Sequence, residues 1–133
     1  MDTLHILLVE DEEIDIAFLK RNFINSNPQY ACELVSTVDD AKKNMNGKKY
    51  DVVVSDLKLP DGDAFEVLDA ANHLKIPTII VTSKGSEKIA EDLMEKGAAD
   101  YLIKDQLAGE HLMLLPEIIS NVTANAKKLN VNS

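Results

Sequence analysis

The chain has 133 residues, which is enough for one compact domain with an ordinary hydrophobic core. Its 14 basic and 23 acidic residues give a net charge of −9, which excludes a broad basic surface for nucleic acid. The single cysteine excludes an internal disulfide and a metal site built from several cysteines. No apolar run reaches the roughly 18 residues of a membrane span, and no signal-peptide pattern opens the chain. We therefore expect a soluble, cytoplasmic protein that neither inserts into membranes nor binds nucleic acid directly.

Strand and helix signals alternate along the chain and predict five strand–helix units. The predicted strands are Leu4–Val9, Ala31–Ser36, Val52–Ser55, Thr78–Val81 and Asp100–Ile103. They are short and rich in β-branched residues, as strands buried on both faces of a parallel sheet should be. The pattern predicts an α/β fold with an open parallel sheet.

Capping and turn residues mark the ends of the predicted helices. Thr37 and Asp63 each precede an acidic residue by three positions, which is capping-box spacing, and Ser86 is predicted to cap the fourth helix. Gly47 and Gly97 are predicted to end the second and fourth helices in a left-handed conformation.

A last apolar stripe predicts a fifth helix near the end of the chain. Its members are Leu115, Ile118, Ile119, Val122 and Ala126. We expect residues 1–128 to form one domain and residues 129–133 to be a disordered tail.

Polar residues stand where four of the predicted strands end. Glu10 and Asp11 follow the first strand, Asp56 the third, Thr82 the fourth and Lys104 the fifth. In open α/β sheets, ligands bind in the crevice outside the carboxyl ends of the strands. We therefore expect carboxylates, a hydroxyl and an ammonium group to converge on one site suited to Mg²⁺ and a phosphoryl group.

Four segments that contain these residues resemble the receiver domain of two-component response regulators. They are Leu-Leu-Val-Glu-Asp-Glu at 7–12, Asp-Leu-Lys-Leu-Pro-Asp-Gly at 56–62, Thr-Ser at 82–83 and Gly-Ala-Ala-Asp-Tyr-Leu-Ile-Lys at 97–104. The resemblance covers nearly the whole chain. It implies a doubly wound, flavodoxin-like sheet of five parallel strands in the order 2-1-3-4-5, with five helices.

The resemblance also implies roles for the acidic residues. Asp56 is the expected phosphoacceptor, and an aspartyl carboxylate can attack a phosphoryl group to form an acyl phosphate. Asp11, Asp56 and the backbone carbonyl of Lys58 are the expected Mg²⁺ ligands, with Glu10 acting on the metal through water. The cation is required because a phosphoryl group would otherwise be repelled by three carboxylates.

Three further residues are expected to react to the phosphoryl group. Lys104 would pair with Asp56 at rest and with a phosphoryl oxygen afterwards, and Thr82 would donate a hydrogen bond to the phosphoryl group. Tyr101 stands at the family's aromatic switch position. As Thr82 moves inward, Tyr101 is expected to turn into the vacated space and change the surface formed by helix four, strand five and helix five.

The function implied by these residues is that of a stand-alone signalling switch. The phosphoryl group is expected to come from a sensor histidine kinase or a histidine phosphotransfer protein, because the chain has no nucleotide-binding glycine loop. The protein would catalyse only its own phosphorylation and dephosphorylation, not the turnover of a free substrate. Its output is expected to be contact with a downstream protein. Phosphorylation is also expected as a trigger for a homodimer of the chain.

One departure from the family pattern keeps an alternative open. Asp105 stands where the family usually has a proline, often joined through a cis bond, and for any other residue that isomer costs about 2.5–4 kcal/mol. This departure is the only support in the sequence for a receiver-like interaction module that works without phosphorylation. A flavodoxin-like cofactor binder or small phosphatase is the weakest reading, since acids replace the phosphate-binding loop after the first strand.

Overall fold

The computed structural model describes residues 3–25, 27–82, 86–103 and 115–132. Its main sheet contains β1 (Leu4–Val9), β2 (Tyr30–Val35), β3 (Val52–Ser55), β6 (Thr78–Thr82) and β7 (Asp100–Ile103). A separate hairpin consists of β4 (Lys58–Leu59) and β5 (Gly62–Asp63). The helices are α1 (Glu13–Leu19), which continues into a π-helical turn (Lys20–Ile24), α2 (Val38–Gly47), α3 (Ala64–His73), α4 (Glu87–Glu95) and α5 (Leu115–Asn132).

The main sheet is parallel throughout, in the order β2-β1-β3-β6-β7. With the hairpin left out of the numbering, this is the predicted order 2-1-3-4-5, so the predicted fold is confirmed. The sequence does not predict the hairpin, because strands of two residues are too short to show an alternating pattern.

Alternate residues of the central strands point to opposite faces of the sheet. Ile6 and Leu8 of β1 pack in one apolar cluster with residues of α1 and α5. Leu7 and Val9 pack in a second cluster, on the face that α2 and α3 cover. A third cluster joins α3 and α4 to Ile80 of β6. Because both faces carry helices, the strands are apolar on both sides and the polar residues lie at their ends.

The predicted N-caps of three helices are confirmed. The side chain of Thr37 accepts a hydrogen bond from the Asp40 amide, that of Asp63 from the Phe65 amide, and that of Ser86 from the Ile89 amide. These bonds satisfy backbone donors that the first turn of a helix leaves without partners.

Of the two predicted glycine ends, one is confirmed and one is wrong. Gly97 follows α4 with φ at 101°, a conformation that costs glycine little because it has no Cβ. Gly47 is the last residue of α2 and has no positive φ, and the chain leaves the helix in an extended conformation at Lys48. The backbone therefore needs no left-handed residue at that point.

Helix α5 extends further than its apolar stripe predicts. Its backbone continues to Asn132, through residues 129–132, where the sequence predicted disorder. After Pro116 the chain contains neither proline nor glycine, so nothing in the local sequence stops the helix. The predicted domain limit at residue 128 and the predicted disorder of residues 129–133 both stay predictions. Among the described residues, no helix is both long and apolar enough to cross a membrane.

Candidate functional site

Strand register brings the predicted acidic residues together. Val9 of β1 pairs with Ser55 of β3, so the residues that follow them, Glu10 and Asp56, leave the sheet side by side. The amide of Asp56 donates to the carbonyl of Val9 at 2.9 Å, and the amide of Glu10 donates to the carbonyl of Val35 at 2.9 Å. Both acidic residues are therefore held by the backbone of the strands beside them.

Three carboxylates converge at this edge of the sheet. Glu10, Asp11 and Asp56 each offer an oxygen, and these oxygens all lie within 4.8 Å of one another. Opposite ligands of an octahedral Mg²⁺ ion are about 4.2 Å apart, so oxygens this close fit a single ion after small movements. Glu10 is 2% exposed and Asp56 is 8% exposed, whereas Asp11 is exposed to solvent. The cluster thus has two buried members and one that faces solvent.

Backbone amides orient the two buried carboxylates. The amide of Leu57 donates to Oδ1 of Asp56 at 2.8 Å, within the same turn. Oε2 of Glu10 accepts from the amides of Asp11 at 3.1 Å and Glu12 at 3.4 Å. Hydrogen bonds from backbone amides to a carboxylate are charge-assisted and restrict the rotation of its side chain.

The hairpin after Asp56 determines where the Lys58 carbonyl lies. Its register pairs Lys58 with Asp63 and Leu59 with Gly62, and the Ala64 amide donates to the Leu57 carbonyl at 2.9 Å. Leu57 and Ala64 thus form a hydrogen-bonded pair. Because hydrogen-bonded and non-hydrogen-bonded pairs alternate along antiparallel strands, the next pair, Lys58 and Asp63, is of the non-hydrogen-bonded kind. The carbonyl of Lys58 therefore lies outside the hydrogen bonds of the hairpin.

Thr82 and Tyr101 lie on the neighbouring strands at the same side of the site. Thr82 is the last residue of β6, is 1% exposed, and pairs with Ile103 of β7. Tyr101 is half-buried against the third apolar cluster. Burial raises the pKa of Tyr101, and the nearby Ser86 amide offsets part of that rise. Within the described part of the chain, the hydroxyl of Tyr101 is buried and has no hydrogen-bond partner.

The described structure contains most of the predicted site. It brings Glu10, Asp11 and Asp56 into one cluster and places Thr82 at the end of an adjacent strand. Lys104 follows Ile103 directly and, like Asp105, lies outside the described residues. Sequence reasoning missed the amide donors to Glu10 and Asp56, because a backbone amide leaves no signature in the side-chain pattern.

Comparison with known proteins identifies relatives for nearly the whole chain. The family model described as "Response regulator receiver domain" matches residues 6–114. The methanogenesis regulatory protein FilR1 of Methanothrix harundinacea is 30% identical over 93% of this chain and 28% of its own length. The transcriptional regulatory protein BasR of Escherichia coli is 35% identical over 74% of this chain and 45% of its own length. The chain thus spans less than half the length of these two relatives.

Solved structures show the same fold. The signal receiver domain of a putative LuxO repressor protein from Vibrio parahaemolyticus superimposes with a TM-score of 0.81 at 29% identity, covering 98% of each chain. The receiver domain of a sensor histidine kinase from Pseudomonas aeruginosa superimposes with a TM-score of 0.75 at 21% identity, covering 92% of this chain and 98% of its own. That second structure holds a magnesium ion in its active site cleft.

Proposed function

Because this chain belongs to the response regulator receiver domain family, we propose that it is a signalling domain that accepts a phosphoryl group on Asp56 from a phosphohistidine donor. The observation that carries the proposal is the convergence of the Glu10, Asp11 and Asp56 carboxylates within 4.8 Å at the carboxyl edge of the sheet. An acidic cluster alone would be weak support. Here it coincides with the family match and with the crevice where open α/β sheets bind their ligands.

Asp56 is the member of the cluster best suited to be the phosphoacceptor. It follows the central strand β3, and the Leu57 amide orients its carboxylate through Oδ1. In the proposed step a carboxylate oxygen of Asp56 attacks phosphorus, the bond from phosphorus to the imidazole nitrogen breaks, and the histidine leaves. The nucleophile is a carboxylate oxygen, so the attack requires no base to remove a proton from it.

The charge of the cluster explains why a cation is part of the proposal. Two unit charges 4.8 Å apart repel by about 3 kcal/mol at an effective dielectric constant of 20, so three carboxylates strongly oppose an incoming phosphoryl dianion. Asp11, Asp56 and the Lys58 carbonyl would hold Mg²⁺, with Glu10 acting through water. When bound, Mg²⁺ would neutralise carboxylate charge and draw the phosphoryl oxygens toward the site.

The response to phosphorylation is proposed to pass through β6 and β7. Thr82 would donate its hydroxyl to a phosphoryl oxygen, and Lys104 would supply a positive charge to the same group. Tyr101 is well placed to respond, because its buried hydroxyl has no hydrogen-bond partner among the described residues and reorientation would break no such bond there. The surface of α4, β7 and α5 would then change and be read by a partner protein.

The partners follow from the proposed chemistry. A sensor histidine kinase or a histidine phosphotransfer protein would supply the phosphoryl group. A downstream protein or a second copy of the chain would bind the altered surface. The chain spans only part of the length of its curated relatives. These partners are therefore proposed for the chain itself, and what a longer protein containing it would do is proposed on the same basis.

The test is intact mass after incubation with Mg²⁺ and acetyl phosphate. We expect the wild type to gain one labile phosphoryl group, and Asp56→Asn to gain none. Asp69→Asn is the matched control, because it removes the same charge from an exposed position on α3. A chelator added to the wild type should also prevent the adduct.

The other outcomes separate the competing functions. An adduct on Asp56→Asn would show that another residue is the acceptor. No adduct on the wild type, together with no Mg²⁺ binding in calorimetry, would contradict the proposal and favour an interaction module that works without phosphorylation.

A further inference from the structure

The hairpin that follows Asp56 is attached to the first turn of α2 by a residue outside the acidic cluster. Oδ1 of Asp61 accepts from the amide of Val38 at 2.7 Å, and Oδ2 accepts from the amide of Asp39 at 3.0 Å. Thr37 caps only the next donor, the amide of Asp40. Asp61 therefore satisfies the first two donors of α2, which the helix's own cap does not reach.

Packing around the hairpin supports the same attachment. A Cβ on Gly62 would lie 3.2 Å from Cγ2 of Val38 and would collide with the carboxylate of Glu66. The side chain of Leu59, 8% exposed, packs in the same apolar cluster as Val38 and Ala41 of α2. The hairpin thus contacts α2 through a carboxylate, a close backbone approach and an apolar side chain.

This attachment bears on the metal site because the hairpin carries Lys58. Leu57, the residue before Lys58, orients Asp56, and the hairpin register leaves the Lys58 carbonyl outside the hairpin's own hydrogen bonds. Only two residues, Leu59 and Pro60, separate Lys58 from Asp61. A change in how Asp61 is held is therefore transmitted to the Lys58 carbonyl through a short, hydrogen-bonded segment.

We infer that Asp61 is a positioning residue for the Mg²⁺ site: by binding the Val38 and Asp39 amides of α2, it fixes the hairpin and so the carbonyl of Lys58. The inference rests on the proposed function, in which that carbonyl is a metal ligand. The two amides also hold the pKa of Asp61 below its usual range, which agrees with a carboxylate that stays ionised in this contact.

The test compares Mg²⁺ affinity in three variants by isothermal titration calorimetry, with no phosphodonor present. Asp61→Ala removes both contacts, and we expect its Mg²⁺ dissociation constant to rise by about tenfold, as when partners that orient metal ligands are lost. Asp61→Asn keeps one acceptor oxygen, so its Mg²⁺ dissociation constant should lie between those of the wild type and Asp61→Ala. Thr37→Ala is the matched control, because it removes a cap from the same helix end and leaves the Asp61 carboxylate in place.

Stability measured by urea unfolding separates positioning from simple capping. Both Asp61→Ala and Thr37→Ala should lower the free energy of unfolding, but only Asp61→Ala should weaken Mg²⁺ binding. Unchanged Mg²⁺ affinity in Asp61→Ala, or an equal loss in Thr37→Ala, would overturn the inference. So would a wild type that binds no Mg²⁺, which would also remove the metal from the proposed function.

Phosphorylation by acetyl phosphate separates this inference from the proposed function. At saturating Mg²⁺, Thr37→Ala should be phosphorylated within about twofold of the wild-type rate, because neither the nucleophile nor the Asp61 carboxylate is changed. If the affinities change as expected but the wild type gains no phosphoryl group, the positioning role stands and the proposed phosphorylation fails.

Discussion

Mutual repulsion among the carboxylates makes the site a source of instability when no cation is bound. The perturbation that tests this is Asp56→Asn, which keeps an oxygen to accept from the Leu57 amide. At a separation of 4.8 Å, each pair of carboxylates costs between about 1 kcal/mol in water and about 3 kcal/mol at a dielectric constant of 20. Removing the Asp56 charge abolishes two such repulsions and one attraction to the predicted Lys104 ammonium. The free energy of unfolding should therefore rise by about 1–3 kcal/mol.

Thermal unfolding with and without Mg²⁺ is the assay. Without the cation, Asp56→Asn should melt higher than wild type by roughly 4 °C for each kcal/mol gained in a domain of this size. Added Mg²⁺ should raise the melting temperature of the wild type more than that of the variant, because the variant lacks one ligand. The exposed Asp69→Asn variant should change neither quantity.

Two results would refute this reasoning. Asp56→Asn could melt at or below the wild-type temperature without Mg²⁺, which would show that Asp56 makes contacts stronger than the repulsion it feels. Alternatively, Mg²⁺ could stabilise both proteins equally, which would show that Asp56 is not a ligand.

Three further predictions concern parts of the fold outside the cluster. Gly97→Ala should lower the free energy of unfolding by about 1–2 kcal/mol, because φ is 101° and the new Cβ would lie 3.2 Å from Nδ2 of Asn72. If urea unfolding shows the same stability for the variant and the wild type, this prediction is wrong. Burial raises the pKa of Cys32 to about 11 from 9.0. At pH 8 its thiol should therefore react with a disulfide reagent about 100-fold more slowly than in the urea-unfolded chain, and equal rates in the two states would contradict this prediction. The pKa of Asp61 is lower in the folded than in the unfolded chain. The stability that its hydrogen bonds contribute is therefore present above the unfolded pKa and is lost as the pH falls through the folded pKa. Below about pH 4, wild type should therefore lose more stability than Asp61→Asn, and parallel pH profiles would refute the contact.

Local patterns in the sequence were sufficient to predict most of the fold. The apolar runs that became β1, β3 and β6 are short and bounded by polar residues, so burial on both faces of a sheet was their only consistent arrangement. The caps at Thr37 and Ser86 were predictable because the donor of each bond lies three residues from its acceptor. The acidic residues of the cluster were predictable because parallel strands align their carboxyl ends.

Long-range contacts could not be predicted in this way. The bonds from Val38 and Asp39 to Asp61 join residues 23 and 22 positions apart, and no rule of helix capping reaches so far along the chain. Gly47 shows the converse: its residue type favours a left-handed end, but the path of the chain into β3 required an extended one at Lys48.

The sequence by itself determined which segments form the strands of the main sheet, which polar residues follow them, and which acidic residues meet at the edge of the sheet, because these depend on alternation, capping and parallel pairing over a few residues. Only the tertiary structure decided how the hairpin beside these charges is held. The carboxylate of Asp61 that fastens the hairpin to α2 accepts from amides 23 and 22 positions away, which reach it only when separate elements pack together.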